Sequence, residues 1–461
     1  MELAAKKLKE LFSEEGMIRV ITHLDTDGLT SAAIFFYILK KYNQNFWVSI
    51  VKQLEEPLLK ELLQQAEKQK WKAIVFLDLG AGMLSKIKNF TTNVFIIDHH
   101  EIDCKIEPAE FFEETSGNLF FISPRFHNDE KMSASCLTYL FVKKLKSHWS
   151  REDKKLAQLA IIGLIGDMLD KNISKSVRGI LSDAEESGME IKKGLTVFSA
   201  LRPIHKALEF SNIFIPGVTG SGNAVIAMLR DLGIEIKNSQ GYRTLLDLSK
   251  DELSRLITAI LLKAKDQNQN ILDNIYLVKI ANRLFDAREV STMLNACGRL
   301  GYSSLALAFL IGSKKAASKI EEVYAKYKHL IVRALNWIHS NKKIETNSYV
   351  IINAKNAIKD TMIGTVVSIL ASSYLYESGT IIVGMAYRKD SKIKVSARIV
   401  KGPNNSVNLY KLLQSAVELT GGEVGGHKDA AGCLIPKEKE KEFLELLQEK
   451  LKLPEIKFSS N

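Results

Sequence analysis

The sequence predicts an α/β protein: an N-terminal doubly wound parallel sheet, a helical middle region, and a smaller mixed α/β C-terminal domain, with the active cleft between the domains. Three observations predict it. Near-continuous apolar runs at 17–24, 46–51, 73–79, 94–97 and 119–122 alternate with helical patterns such as 29–41 and 55–70. Strands buried on both faces of a parallel sheet lose the apolar–polar alternation of a half-exposed strand. From about 150 to 345 the pattern is mainly helical, interrupted by Ile215-Pro216-Gly217-Val218-Thr219-Gly220-Ser221-Gly222-Asn223, where Pro and Gly break the period. After 346, YVIINA, GTIIVGMAYR and SKIKVSARIV read as strands, and helical stretches at 406–419 and 437–451 flank a glycine-rich turn. The expected domains are 1–185, 186–345 and 346–455.

Composition narrows the class. The chain has 461 residues, 46% apolar and 25% charged, ordinary values for a globular protein with ample core. No apolar run reaches the roughly 20 residues of a membrane span, and the amphipathic N-terminus MELAAKKLKELFSEEG is no signal peptide. No membrane association is expected. Cys104, Cys136, Cys297 and Cys433 lie far apart without a CxxC pair, which excludes a zinc knuckle or disulfide framework and makes the cytoplasm the simplest home. A net charge of +11, from 64 basic and 53 acidic residues, suits a polyanionic partner such as single-stranded nucleic acid.

The chemistry is concentrated at strand ends. The first apolar run leads into His23-Leu24-Asp25-Thr26-Asp27-Gly28, the third into Asp78-Leu79-Gly80, and the fourth into Asp98-His99-His100. In open α/β sheets, ligands bind beyond the carboxyl ends of the strands. Residues at alternate positions of extended backbone share a face, so His23, Asp25 and Asp27 can converge. Carboxylates that close repel one another unless a cation or proton sits between them. Asp167 closes a very apolar helical segment, with Asp170 one turn later as its competitor. Carboxylates and imidazoles without thiolates suit Mn²⁺ or Mg²⁺, and a pair of ions suits in-line displacement at phosphorus. The expected ligands are His23, Asp25, Asp27, Asp78, His99 and Asp167, with Asp78 bridging. Asp98 is expected to orient a histidine, and His100 to face the substrate phosphate as acid or donor.

Taken in order, HLDTDGLTSAA, LDLG, IDHH and IGLIGDM resemble the motifs of the DHH phosphoesterase superfamily. GGEVGGHKDAAG, residues 421–432, resembles the signature of the domain that follows the DHH domain in one subfamily. Asn295-Ala296-Cys297-Gly298-Arg299 resembles an element of RecJ exonucleases. Over nearly its whole length the chain is most similar to archaeal RecJ-like proteins, some of which associate with the GINS replication complex. The resemblance implies a nuclease that hydrolyses single-stranded nucleic acid from an end with Mn²⁺ or Mg²⁺. It also implies kinship to a eukaryotic replicative-helicase subunit that has lost the catalytic set, whereas here Asp25, Asp27, Asp78, Asp98, His99, His100 and Asp167 are all present. Pyrophosphatase-like relatives place a histidine four residues before the first Asp, where this chain has Ile21. His23 departs from that pattern.

In the C-terminal domain, Gly425, Gly426 and His427 are expected to contact a phosphate, with Ala430-Ala431 beginning a helix behind them. Ser396 and Arg398 share a strand face, and Arg299 reads as a second phosphate anchor. Tyr387 and Arg388 are weaker candidates. The leading reading is an exonuclease on single-stranded DNA, or also RNA, acting 5′→3′ in replication or repair. A phosphodiesterase of short oligonucleotides or cyclic dinucleotides and a GINS-binding scaffold are the alternatives.

Overall fold

The computed structural model describes residues 1–88, 90–102, 117–124, 131–171, 173–195, 199–211, 215–263, 271–373, 375–400 and 407–452. Cys104 lies outside them. The chain forms two compact units, Met1–Tyr324 and Ala325–Asn461.

The first unit is built on β1 (Met17–His23), β2 (Asn45–Val51), β3 (Ala73–Leu77), β4 (Asn93–Ile97) and β5 (Leu119–Ile122), the five expected strands. All neighbours are parallel, in the order β2-β1-β3-β4-β5. Every residue of β3 is buried, as its unbroken AIVFL composition requires. Helices cover both faces. Leu59, Leu62 and Ala66 of the helix Glu56–Gln69 pack with Ile21, Ile74, Phe76 and Ile96 on one side. The helices Thr26–Lys41, Ala134–Lys144 and Leu156–Gly166 pack together as a separate layer. The chain steps from β1 outward to β2, then crosses back over β1 to β3. The order therefore reverses between β1 and β3, and at such a switch point the connections diverge and leave a crevice beyond the strand ends.

The middle region is helical, with a small sheet added. β6 (Glu190–Leu195) is followed by a short hairpin, β7 (Lys237–Asn238) and β8 (Gly241–Tyr242), then by β9 (Leu272–Ile280) and β10 (Arg283–Asp286). The order β10-β9-β6 is antiparallel throughout. Helices Ile204–Glu209, Gly222–Asp231 and Lys250–Lys263 close a local core with Leu195, Ile275 and Leu277. This small sheet is an addition to the mainly helical region expected. EIKKGL carries too much charge to read as a strand, and Asp273, Asn274 and Lys279 break the apolar run of β9. Ser221, in the glycine-rich interruption, caps the helix Gly222–Asp231 by accepting from the Ala224 N–H.

The second unit holds a six-stranded sheet, β11 (Ile344–Glu345), β12 (Tyr349–Asn353), β13 (Ile381–Tyr387), β14 (Lys392–Ile399), β15 (Glu423–His427) and β16 (Ala430–Pro436), ordered β11-β12-β13-β14-β16-β15. Only the β12–β13 pair is parallel. Helices Leu409–Thr420 and Glu440–Lys452 share a core with the sheet through Leu413, Ala416, Phe443 and Leu447. The helix Asp360–Ala371 lies against Gly384 of β13, where a Cβ would come within 2.4 Å of Val367. The expected helix at Ala430-Ala431 is a strand. Both residues belong to β16, and GGEVGGHKDAAG is a hairpin with its turn at Lys428-Asp429. Alternating small residues suit close strand pairing as well as close helix packing, so the sequence alone favoured the wrong element.

Candidate metal centre

Each strand end delivers its side chains to the switch point. β1 ends at His23, and Asp25 caps the helix Thr26–Lys41, its Oδ1 accepting from the Gly28 N–H at 3.1 Å. Gly28 is required there, because a Cβ would lie 2.5 Å from the His23 carbonyl oxygen. Asp27 is fully buried. Its Oδ2 accepts from the Ala134 N–H at 2.6 Å and its Oδ1 from the Ser135 N–H at 3.0 Å. Those are orphan donors at the start of the helix Ala134–Lys144, where a carboxylate is favoured by the helix dipole. Asp78 leaves β3 with φ +58°, a left-handed conformation that Asp tolerates better than most residues.

Three overlapping groups result: His23, Asp25 and Asp78; Asp27, His99 and Asp167; and Asp78, His99 and His100, each with ligand atoms within 4.8 Å of one another. Asp78 joins them. Its Oδ2 lies 3.4 Å from His23 Nδ1 and its Oδ1 3.4 Å from His99 Nε2. His99 Nε2 lies 3.1 Å from Asp167 Oδ2, and His23 Nδ1 lies 2.9 Å from Asp25 Oδ2. His23 Nδ1, Asp78 Oδ1 and Asp167 Oδ2 are buried and, beyond these charged contacts, make no hydrogen bond of good geometry. Buried polar atoms rarely stay unpaired. Three that converge among carboxylates and imidazoles, with no thiolate, fit divalent cations.

Asp98 stands apart from the three groups. One oxygen accepts from the Ala81 N–H at 2.8 Å, and the other lies 2.7 Å from His100 Nδ1. Asp98 thus holds the His100 ring, whose side chain is 58% exposed. Asp170 does not compete with Asp167: it pairs with Arg288 at 2.5 Å.

The electrostatics show the strain of gathering these charges. Burial, then the charge of Asp78, raises the Asp27 carboxyl to about 6. Burial, then Asp27, does the same for Asp167. Burial lowers the His99 imidazole, but Asp167, Asp78 and Asp27 outweigh it and push it up to about 12. The Asp98 hydrogen bond raises His100 to about 9. Burial raises the Asp25 and Asp98 carboxyls, but their histidine partners overcome it and hold both below the usual range.

A supporting layer behind the ligands is not apparent from the sequence. The helix Ala287–Leu300 docks on the loop between β1 and its following helix. Asn295 Oδ1 accepts from the Thr26 N–H at 3.1 Å, and the Thr26 hydroxyl donates to the Ser291 carbonyl at 2.8 Å. At Gly298 a Cβ would lie 2.2 Å from the Leu24 carbonyl oxygen. Asn295 and Gly298 belong to the Asn295–Arg299 element, so the signal was present while its role was not. Ser133 was missed as well, although a serine before an apolar helix signals a cap: it accepts from the Cys136 N–H.

In the second unit, strand register gathers Ser396, Arg398, Gly425 and His427 on one sheet face and puts Gly426 on the other. Gly384, Ser396, Gly432 and Gly425 form one cross-strand row, and Ile382, Arg398, Ala430 and His427 the next. Arg398 Nε donates to Ser368 Oγ at 3.1 Å, on the helix that covers the β13–β14 end of this face. Toward β15 the two rows end in Gly432, Gly425, Ala430 and His427, of which Gly425 and His427 are exposed. Gly426 has φ +113°, and a Cβ there would lie 2.4 Å from the Ala430 carbonyl oxygen. Lys394, two residues before Ser396, shares the face and was missed, although the same period-two spacing points to it. Arg299 ends the helix Ala287–Leu300 in the first unit. The weaker candidates are engaged locally: the Tyr387 hydroxyl donates to Glu440 and Arg388 pairs with Asp390.

Known proteins agree with this architecture. An uncharacterized protein of Methanocaldococcus jannaschii is 28% identical over 456 residues, covering 97% of this chain and 96% of that protein. The crystal structure of CDC45 from Entamoeba histolytica superposes with a TM-score of 0.66 at 11% identity, over 98% of this chain and 99% of that one. RecJ from Thermus thermophilus, crystallised with Mn²⁺, gives 0.59 at 16% identity; the match covers 98% of this chain but 55% of that one. Residues 17–164 match the DHH family N-terminal domain, 199–274 the DHH-CID domain and 347–453 the DHHA1 domain. In chain order, the sequence thus carries matches to a DHH N-terminal domain, a DHH-CID domain and a DHHA1 domain.

Proposed function

We propose that the protein is a metal-dependent phosphodiesterase, an exonuclease that removes nucleotides from an end of single-stranded DNA in the 5′→3′ direction, with RNA as a further substrate. The observation that carries this reading is Asp78. One oxygen faces His23 and the other His99, and buried atoms around it meet charged neighbours without a hydrogen bond of good geometry. Asp78 would be shared by two Mn²⁺ or Mg²⁺ ions, with His23 and Asp25 completing one set and Asp27, His99 and Asp167 the other. When bound, such ions lower the pKa of water and neutralise phosphate charge.

The chain's own residues do the rest. Backbone N–H groups fix Asp27 so that it cannot swing away. Asp98 holds His100 by Nδ1, leaving the opposite ring nitrogen for a phosphate oxygen or for the leaving group. Arg299, and in the second unit Ser396, Arg398, Gly425, Gly426 and His427, would bind the strand's phosphates. Support comes from the net charge of +11 and from the joint match to DHH and DHHA1 domains. A GINS-type complex is the protein partner to test, by co-elution with the purified complex. A scaffold without hydrolysis would leave the buried cluster of four carboxylates and two imidazoles with no role.

The test is single-stranded DNA labelled at one end and then at the other, incubated with Mn²⁺ beside an Asp78→Ala control. Immediate release of a 5′-labelled mononucleotide, gradual shortening of the 3′-labelled strand and a silent variant support the reading. Intact strands beside cleaved dinucleotides would replace it with the small-substrate reading.

A further inference from the structure

The helix carrying Asp167 ends in an unusual way. The Leu169 N–H bonds to the Leu164 carbonyl at 3.1 Å and the Met168 N–H to the Ile165 carbonyl at 3.1 Å. This pair of bonds is the termination that places the next residue in left-handed backbone, a position that glycine ordinarily fills. Here Met168 fills it, at φ +58°. A side chain at that position is strained, and one that is well packed would at least gain burial. Met168 has none, being 71% exposed. The segment is fixed on both sides: Asp167 lies among the clustered ligands, and Asp170 is tied to Arg288, which also donates to the Asn274 carbonyl at 2.7 Å. The methionine is thus a strained, solvent-exposed thioether on a rigid support, one residue from Asp167.

We propose that Met168 is a substrate-contact residue whose side chain packs on a nucleobase near the attacked phosphodiester. This rests on the nuclease reading and adds to it the class of group recognised: a flat aromatic base, taken without regard to sequence. A thioether suits that task, because it is polarisable and flexible, packs against ring edges, and reads no hydrogen-bond pattern.

The experiment compares wild type with Met168→Gly and Met168→Leu. Substrates are single strands with one abasic residue placed in turn at each of the first three positions from the attacked end. Met168→Gly should melt at the same or a higher temperature and bind Mn²⁺ as wild type does. Its KM for the intact strand should rise, by up to about tenfold, with kcat held. At one abasic position the difference between wild type and Met168→Gly should vanish, and Met168→Leu should keep wild-type behaviour. A penalty that persists at every abasic position, a lower melting temperature, or a loss of Mn²⁺ affinity overturns the inference in favour of a structural role. If wild type cleaves no strand, the nuclease reading fails separately. Equal affinity of wild type and Met168→Gly for the intact strand in fluorescence anisotropy would then overturn the Met168 contact as well.

Discussion

At the scale of single residues, the centre is a set of groups whose proton affinities a cation must overturn. His99, raised to about 12, is protonated at neutral pH without metal, and can ligate only by losing that proton. Mn²⁺ binding is therefore expected to release at least one proton. The affinity should climb with pH, most steeply below about 6 where Asp27 and Asp167 also hold protons. Calorimetry in buffers of different ionisation enthalpy reads the proton directly, and no release would remove His99 from the ligand set. Stability without metal should run the other way. His100 is raised to about 9 in the fold, so its contribution is complete below the unfolded value near 6.5 and is lost as pH rises through 9. Melting temperatures with Mn²⁺ and with chelator should thus diverge as pH rises from 6.5 to 9. The clustering of the candidate ligands was legible, because acidic and histidine residues at the ends of apolar runs of one parallel sheet meet beyond the strand ends. The partners that hold them were not, since a backbone N–H such as that of Ala134 or Ser135 has no sequence signature of its own.

At the scale of elements, the site depends on how closely three helices approach the strand ends. A Cβ at Gly163 would come within 2.1 Å of Ser135 Oγ and 2.5 Å of both Asp27 Oδ1 and Thr30 Oγ1. Gly163→Ala is expected to cost about 1–3 kcal/mol of stability in chemical denaturation, and to weaken Mn²⁺ binding by displacing Asp27. Asn295→Ala removes the acceptor of the Thr26 N–H. It should cost about 1 kcal/mol, and activity should fall through metal affinity, so that excess Mn²⁺ restores it. A loss that Mn²⁺ does not restore would place Asn295 in substrate binding instead. The five parallel strands were legible because burial on both faces leaves nothing polar within them. The β9 sheet and the β15–β16 hairpin were not, because charge or glycine at those strands hides the pattern that pairing alone stabilises.

For the whole molecule, every proposed metal ligand lies between residues 23 and 167, inside the first compact unit. The second unit has its own core of Tyr349, Val383, Leu413 and Phe443. Mn²⁺ should therefore raise the melting transition of the first unit and leave that of the second in place, which differential scanning calorimetry resolves. At a hundred times its dissociation constant the metal adds about 2.7 kcal/mol. An equal shift of both transitions would show instead that the units melt as one.

The spacing of those ligands along the chain has a kinetic meaning. The two proposed cations, held by side chains at the ends of β1, β3, β4 and the helix Leu156–Gly166, would tie together segments that are far apart in sequence, as a covalent staple would. Until the last of them has been synthesised and has docked, there is nothing for the ions to join. Afterwards, letting go of the ions and opening the sheet become one event. Chelation should accordingly speed the opening of the first unit far more than it slows its closure, so the ions act as a lock set last and released first.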